Sequence, residues 1–324
     1  MLAMLRWFMA VALFAWVPLG AHAHDHASRP IRMIVAFAPG GTTDFVARLL
    51  AERASATIGQ SIVVENRPGA NGAIAAEYVA KSEPDGATLF FSTLGALAIN
   101  PNLRTDLPYD PTRAFAPIAM LVRNTTVLVV RAGLGVHSVS ELIARAKEKP
   151  GTISMAVTGI GANSHLALEL FQSAAGVKFQ LIPYRGAAQA MTDLMGNQVD
   201  GLFADAPVLL GQISAGKLIA LGVMSETRSD VLPSVPTLAE LGLPDTIAEN
   251  WQGVLAPIGT PHAVIARLNR AFVDAVNDPD IRRRLVENGV TVSPSSPEAF
   301  ANLITNETAR WGKIIRDKGI KPDS

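Results

Sequence analysis

The fold is decided by the stretch Ile31-Arg32-Met33-Ile34-Val35-Ala36-Phe37-Ala38-Pro39-Gly40-Gly41-Thr42-Thr43-Asp44-Phe45-Val46-Ala47-Arg48. An apolar run ends at Pro39, turns through two glycines and opens a helix, for which Thr42 or Thr43 is the predicted N-cap. The two glycines leave backbone amides uncovered beside the positive end of that helix. A strand, turn and helix start of this kind predicts a binding site for a carboxylate or a phosphate.

A second stretch repeats this arrangement far downstream. Residues 152–158 are a predicted strand, residues 159–164 a turn with two glycines, and residues 165–173 a helix. In open α/β sheets, ligands bind beyond the carboxyl ends of the strands. Two lobes that face each other across such ends would hold a small anion between two helix N-termini.

The first residues predict an export signal over residues 1–23. Arg6 supplies the positive charge, residues 7–19 form an apolar run, and Ala21-His22-Ala23 fits a cleavage site. We therefore expect cleavage after Ala23 and a periplasmic protein that does not insert into the membrane. The terminus His24-Asp25-His26 resembles a metal tag, but a solvated chain end is the better interpretation.

Composition excludes several classes of protein. The chain has no Cys, which rules out a Cys-linked lipid anchor, a disulfide framework and thiolate metal sites. Its formal net charge is zero, which argues against nucleic acid or an anionic membrane surface as partner. We expect no metal and no cofactor.

The length and the alternation of elements predict a two-lobed α/β protein. About 300 mature residues exceed what one core usually holds. Short β-branched runs alternate with helical stretches from residue 31 to residue 223, which predicts doubly wound sheets with right-handed crossovers. We expect one lobe from residues 24–125 and 247–324, a second from residues 126–246, and two crossovers between them. A receptor that opens and closes is expected to be a monomer.

The pattern also predicts individual elements. Strands are expected at residues 31–37, 61–65, 88–92, 124–131, 152–158, 179–182, 199–205, 218–223 and 251–256. Helices are expected at residues 45–57, 73–82, 165–173, 188–195, 261–277, 278–288 and 297–318, and another begins at a capping box formed by Ser138 and Glu141. Residues 101–117 contain four prolines and are expected to be irregular.

Several short motifs occur in a characteristic order. They are Phe37-Ala38-Pro39-Gly40-Gly41, Glu65-Asn66-Arg67-Pro68-Gly69-Ala70, His165-Leu166-Ala167, Pro183-Tyr184-Arg185-Gly186, Gly216-Lys217-Leu218, Trp251-Gln252-Gly253 and Gly259-Thr260-Pro261. With this order and spacing, the mature chain resembles the Bug-type solute receptors of tripartite tricarboxylate transporters over its whole length.

The resemblance implies a type II periplasmic-binding-protein fold with a carboxylated small molecule bound between the lobes. It implies recognition mainly by loop backbone and ordered water, no catalysis, no cofactor, and delivery to a membrane permease of two subunits. The chain departs from the family at Gln189, where Pro is common, and at Thr93-Leu94-Gly95-Ala96, which is poorer in Gly and Ser. Both departures lie near the expected ligand.

The candidate ligand-binding residues lie on the two glycine turns and on the strand ends beside them. They are Phe37, Pro39, Gly40, Gly41, Thr42, Thr43, Asp44, Ser92, Thr93, Thr158, Gly159, Gly161, Asn163, Ser164, His165, Tyr184, Arg185, Gly186, Asp205 and Trp251.

Some of these side chains have a second interpretation. Asp44 either complements its helix N-terminus or accepts from a ligand amine, and His165 either donates to the ligand or packs in the core. Arg185 either pairs with a ligand carboxylate or bridges to an acid such as Asp205. Trp251 either lines the cleft or packs at the hinge.

Three classes of function fit these features. The leading one is a receptor for a mono- or dicarboxylate, an amino acid or an aromatic acid, and the second is a sensor that presents the same closed form to a signalling protein. A hydrolase would need Ser164, His165 and Asp205 as nucleophile, base and orienter. Neighbours on one helical turn rarely form that hydrogen bond, and the sequence has neither G-x-S-x-G nor H-E-x-x-H, so we expect no enzyme.

Overall fold

The computed structural model describes residues 29–321 of the chain. The predicted signal peptide, its cleavage site and the terminus His24-Asp25-His26 lie outside these residues. Within the described range, the helices are all too short or too polar to cross a membrane.

The strands of the described chain form two mixed sheets. They are β1 (Ile31–Val35), β2 (Ile62–Asn66), β3 (Thr88–Thr93), β4 (Phe115–Asn124), β5 (Thr126–Arg131), β6 (Ser154–Val157), β7 (Gln180–Pro183), β8 (Gly201–Asp205), β9 (Leu218–Val223), β10 (Asn250–Pro257) and β11 (Val290–Val292). The first sheet has the order β11-β4-β10-β3-β1-β2, and the second has the order β7-β6-β8-β5-β9. Each sheet has three parallel strands extended by antiparallel ones.

Helices follow most of the parallel strands and cover the sheets. They are α1 (Thr42–Ile58), α2 (Ala73–Ala80), α3 (Asn100–Leu103), α4 (Pro111–Ala114), α5 (Val139–Glu148), α6 (Asn163–Ala175), α7 (Ala187–Met195), α8 (Ala206–Ser214), α9 (His262–Asn277), α10 (Pro279–Glu287) and α11 (Pro297–Lys318). The capping box predicted for α5 is confirmed, because Ser138 Oγ accepts from the Glu141 amide.

Both faces of the first sheet are buried. In β1, Met33 and Val35 belong to a core with α1 and α9, while Ile34 belongs to the core on the opposite face with α2 and α11. This alternation follows from the period of two along a strand. The near-continuous apolar sequence of β1 therefore reflects burial on both sides, as expected for a parallel strand.

The chain passes twice between the two sheets. Thr125 separates β4 from β5, and residues 224–249 lead from β9 back to β10. The strand predicted over residues 124–131 is confirmed as β5 from Thr126 to Arg131, but it starts two residues too early, because Asn124 ends β4 in the first sheet. The β-branched run continues through this point, so local sequence gives no sign of the change of sheet.

The prediction that residues 101–117 are irregular is wrong where α3 and α4 form short helices, and again at its end, where β4 begins. Pro117 pairs with Leu255 of β10 at a shift of register. On its other side, β4 pairs with β11 only at residues 122–124, well beyond Pro117. Because a proline has no amide hydrogen to donate to a neighbouring strand, it is tolerated where strand pairing is interrupted.

Gly253→Ala tests the contact between β10 and α11. A Cβ at Gly253 would lie 2.5 Å from Phe300 Cζ and 2.6 Å from the Ala119 carbonyl oxygen. We expect overpacking to lower the free energy of unfolding by about 1–3 kcal/mol, measured by urea denaturation. The control is Gly211→Ala in α8, where a Cβ meets nothing within 4 Å and should stabilise the helix by up to about 1 kcal/mol. Equal stability of both variants would contradict this packing.

Candidate functional site

The loops that leave the carboxyl ends of the strands in both sheets meet at one cavity of about 270 Å³. Its lining comes from the segments after β1, β2, β3, β6, β7 and β8 and from the two crossovers. The lining residues are Phe37, Ala38, Pro39, Gly41, Thr42, Thr43, Asn71, Thr93, Thr126, Thr158, Ala162, Asn163, Ser164, Arg185, Gly186, Ala187, Ala188, Gln189, Ala204, Asp205, Val208 and Asn250. A larger space of about 1060 Å³ adjoins it and shares Phe37, Asn71, Thr158 and Arg185.

Four helices begin at the small cavity. Their N-cap residues are Gly41 for α1, Ala162 for α6, Gly186 for α7 and Asp205 for α8. Gly and Ala have no side-chain oxygen to accept from the first helical amides, and those amides have no partner inside a helix. Each N-terminus also carries the positive end of its helix dipole, so the cavity favours an anion.

The start of α1 differs from its prediction. Gly41 has the extended backbone of an N-cap, with φ −91° and ψ 173°, and both threonines after it are already helical. The prediction of Thr42 or Thr43 as N-cap is therefore wrong. A glycine at this position keeps the approach to the first amides free of a side chain.

Asp44 stabilises this turn through a hydrogen bond from the Gly40 amide. It is buried, and its carboxylate accepts from the Gly40 amide, from Arg48 Nε and from Asn66 Nδ2. Burial raises the pKa of Asp44, but the hydrogen bonds from Arg48, Asn66 and the Gly40 amide outweigh it and hold the pKa below its usual range. These contacts support the first interpretation of Asp44, at the helix N-terminus.

The turn before α6 is held on both sides of Gly161. The Gly161 amide donates to His165 Nδ1 at 3.1 Å, and its carbonyl accepts from Asn71 Nδ2, in the first lobe, at 2.5 Å. Gly161 has φ +72°, a left-handed conformation that favours glycine. His165 is fully buried, and burial lowers its pKa to about 4, so the neutral imidazole acts as an acceptor.

The arrangement of a Ser-His-Asp hydrolase is not formed by these residues. Ser164 Oγ accepts from the Thr158 amide at 2.9 Å and lies 2.9 Å from Thr158 Oγ1. The Nδ1 atom of His165 is occupied by the Gly161 amide, and its Nε2 lies 3.9 Å from Glu169. The two side chains therefore stabilise the turn from opposite sides.

Asn163 ties the start of α6 to both crossovers. Its Nδ2 donates to Thr126 Oγ1 at 2.8 Å and to the Ala248 carbonyl at 2.9 Å. Thr126 Oγ1 donates to the same carbonyl at 2.7 Å. The anion-facing end of α6 is therefore anchored where the two lobes are joined.

The charged groups of the lining are Arg185 and Asp205. Arg185 is exposed, lines both cavities, and meets no hydrogen-bond or ion-pair partner among residues 29–321. Asp205 accepts from Asn250 Nδ2 at 2.9 Å, and burial raises its pKa to about 7. The proposed internal pair of Arg185 with Asp205 is thus absent from the described structure, which leaves the guanidinium free to meet a ligand.

Tyr184 adjoins the larger cavity. Its hydroxyl donates to Asp193 Oδ2 at 2.8 Å. Burial and the neighbouring Asp193 carboxylate raise the pKa of Tyr184 to about 12, so the phenol stays protonated. The ring therefore lies on the wall of the larger cavity with its hydroxyl already bonded inside the second lobe.

Most of the sequence-predicted residues come together at these cavities. Those in the lining of the small cavity are Phe37, Pro39, Gly41, Thr42, Thr43, Thr93, Thr158, Asn163, Ser164, Arg185, Gly186 and Asp205. Gly159, Gly161 and Tyr184 line the larger space.

The remaining predicted residues lie outside both linings. Gly40 and Asp44 lie behind the first turn, and His165 supports the second turn from inside the lobe. Ser92 and Trp251 are enclosed in strands of the first sheet, with 0% and 1% exposure, and the Trp251 ring packs edge-on against a phenylalanine of α11. Trp251 therefore packs near the crossover rather than lining the cleft.

Sequence reasoning missed Asn71, Thr126 and Asn250 as lining residues. Asn71 directly follows the motif that ends at Ala70, and Asn250 immediately precedes Trp251. Their amides bond to groups far away in the sequence, so no local pattern identifies them. Among residues 29–321, no group of His, Asp and Glu side chains is arranged to hold a metal ion.

Comparison with known proteins places this geometry among transport receptors. Residues 46–320 match the model of the tripartite tricarboxylate transporter family receptor. The chain is 37% identical to protein BugT of Bordetella pertussis, over 99% of this chain and 98% of the relative. The structure of the periplasmic binding protein BugD has a TM-score of 0.87 and 35% identity, covering 90% of this chain and 98% of BugD. An R. palustris protein solved with adipate has a TM-score of 0.88 and 35% identity, covering 92% of this chain and 99% of that one.

The buried imidazole of His165 predicts a dependence of stability on pH. Its pKa is about 4 in the folded protein and 6.5 in an ordinary environment, so the unfolded chain binds the additional proton between these values. This contribution to stability is complete above pH 6.5 and falls by up to about 3 kcal/mol as the pH drops toward 4. His165→Asn keeps an acceptor for the Gly161 amide without a titrating group, so its stability should fall less over this range in urea denaturation. If the stability of wild type and variant changed with pH in parallel, the pH dependence could not be assigned to His165.

Proposed function

The chain belongs to the tripartite tricarboxylate transporter receptor family, and on this premise we propose that it captures a small carboxylate in the cleft between its lobes. The receptor works in the periplasm after export by the N-terminal signal and delivers its ligand to a membrane permease of two subunits. It acts as a monomer that binds and releases without a chemical step.

The convergence of helix N-termini at one cavity is the observation that carries this proposal. Helix α1 begins in the first lobe, while α6, α7 and α8 begin in the second. A negative group at a helix N-terminus is stabilised by typically 0.3–1 kcal/mol, and by up to about 2 kcal/mol in partly buried geometries. An anion between α1 and α6 meets amides from both lobes at once, which couples binding to lobe closure.

Arg185 supplies the cationic side chain for the same anion. It lines both cavities and has no partner among the described residues, and its planar guanidinium suits bidentate contact with a carboxylate. The R. palustris relative solved with adipate supports a carboxylate as the ligand class. Backbone amides recognise the acid group and carry little information about the rest of the ligand.

Contacts across the cleft support a closed arrangement of the lobes around the ligand. The Asn71 amide of the first lobe bonds to the Gly161 carbonyl of the second, and Gly186 lies against Ala38. The pivots are the two crossovers, at Thr125 and at the end of the 224–249 segment. Closure therefore brings the turn before α6 toward the turn before α1.

Thermal unfolding of denatured and refolded protein tests the proposal. The panel contains mono-, di- and tricarboxylates, amino acids and aromatic acids, each paired with its amide. A ligand at a hundredfold excess over its Kd adds about 2.7 kcal/mol, so we expect at least one acid to raise Tm while its amide does not.

A matched pair of variants provides the control for this experiment. Arg185→Gln should weaken binding of the stabilising acid about tenfold, because it removes a charge-assisted bond. Arg282→Gln removes an exposed arginine of α10 that is not part of the cavity lining, and it should leave binding unchanged. Failure of every acid to stabilise the refolded protein, or equal stabilisation by acid and amide, would contradict carboxylate binding.

A further inference from the structure

Three side chains of the small cavity's lining carry hydrogen-bond acceptors, the opposite of what a carboxylate requires. The first acceptor is Asn163 Oδ1, on a side chain of 8% exposure that lines the cavity. Both hydrogens of its Nδ2 are used, by Thr126 Oγ1 and by the Ala248 carbonyl. If the Asn163 side-chain amide were flipped, its Oδ1 would lie against the Ala248 carbonyl oxygen, and neither atom can donate. The orientation of this amide is therefore fixed. Its Oδ1 is buried and meets no donor among residues 29–321.

The second and third acceptors come from opposite lobes. Asn250, at the start of β10, is also 8% exposed and donates its Nδ2 to Asp205 Oδ2 at 2.9 Å. The Oδ1 atom of Asn250 is buried and without a donor in the described chain. Asp205, at the end of β8, contributes a carboxylate to the same lining. The Asn163, Asn250 and Asp205 side chains, which we name the acceptor group, therefore span both lobes.

A ligand with only a carboxylate does not match the acceptor group. Carboxylate oxygens accept and cannot donate, so the two asparagine oxygens would stay without a donor, and the ionised form of Asp205 would face a second negative charge. An ammonium has three N–H donors and a positive charge, so it can donate one hydrogen bond to each of the three side chains and pair with the Asp205 carboxylate. The helix N-termini and Arg185 then bind the acid end, while the acceptor group binds the amine end.

We propose that the ligand is a small amino acid whose ammonium is held by Asp205, Asn163 and Asn250 while its carboxylate lies at the helix N-termini. This inference rests on the proposed function and narrows its ligand class. The cavity of about 270 Å³ has room for both charged groups and the side chain of a small amino acid. The larger space of about 1060 Å³ beside it offers room for a longer side chain.

Calorimetric titration of refolded protein with matched pairs of acids tests the inference. The pairs are alanine and propionate, aspartate and succinate, and leucine and 4-methylpentanoate, with lactate and malate as hydroxyl counterparts. We expect at least one amino acid to bind tenfold or more tightly than its deaminated and hydroxylated counterparts. Equal or tighter binding of a deaminated or hydroxy acid overturns the ammonium assignment and leaves carboxylate capture standing. Absence of binding by any acid overturns the proposed function, and this inference with it.

The variant Asp205→Asn tests binding of the amine end of the ligand separately from binding of its acid end. We expect it to weaken binding of the amino acid at least tenfold, while binding of the deaminated acid is unchanged or becomes tighter because the like charge of Asp205 is gone. Asp230→Asn removes an exposed carboxylate of the same lobe and serves as the charge-matched control with unchanged binding. Wild-type affinity of Asp205→Asn for the amino acid would overturn the assignment. If this variant does not fold, the comparison of matched ligands on wild-type protein decides the question alone.

Discussion

The site depends on four helices that begin at one cavity, three of them with first backbone amides that no side chain caps. Gly41, Ala162 and Gly186 precede three of these helices and offer no side-chain acceptor for those amides. The fourth cap, Asp205, directs its carboxylate to Asn250. The resulting concentration of donors and of positive dipole ends selects an anion before any charged side chain contributes.

Side chains outside the cavity hold these helix starts in place. Asp44 bonds to the Gly40 amide behind α1, and His165 bonds to the Gly161 amide behind α6. Asn163 then anchors α6 to both crossovers, so the binding loop of the second lobe is fixed to the pivots. In the proposed function, the same contacts would govern the position of the ligand and the motion of the lobes.

The sequence predicts the repeated strand, turn and helix because each of those signals is local. The apolar run before Pro39, the glycines after it and the capping box at Ser138 all act within a few residues. The change of sheet at Thr125 has no local signal, because β-branched residues continue through it and only pairing with distant strands separates β4 from β5. Asn250 was missed for the same reason, since its role depends on Asp205, which lies on the other lobe.

The central claim is that backbone amides of both lobes bind a carboxylate, and a crystal structure of the protein with a stabilising acid tests it most directly. The account predicts carboxylate oxygens within about 3.2 Å of amide nitrogens at the starts of α1 and α6, with the lobes closed over the ligand. A carboxylate bound only by side chains, or bound away from residues 41–43 and 162–164, would contradict it.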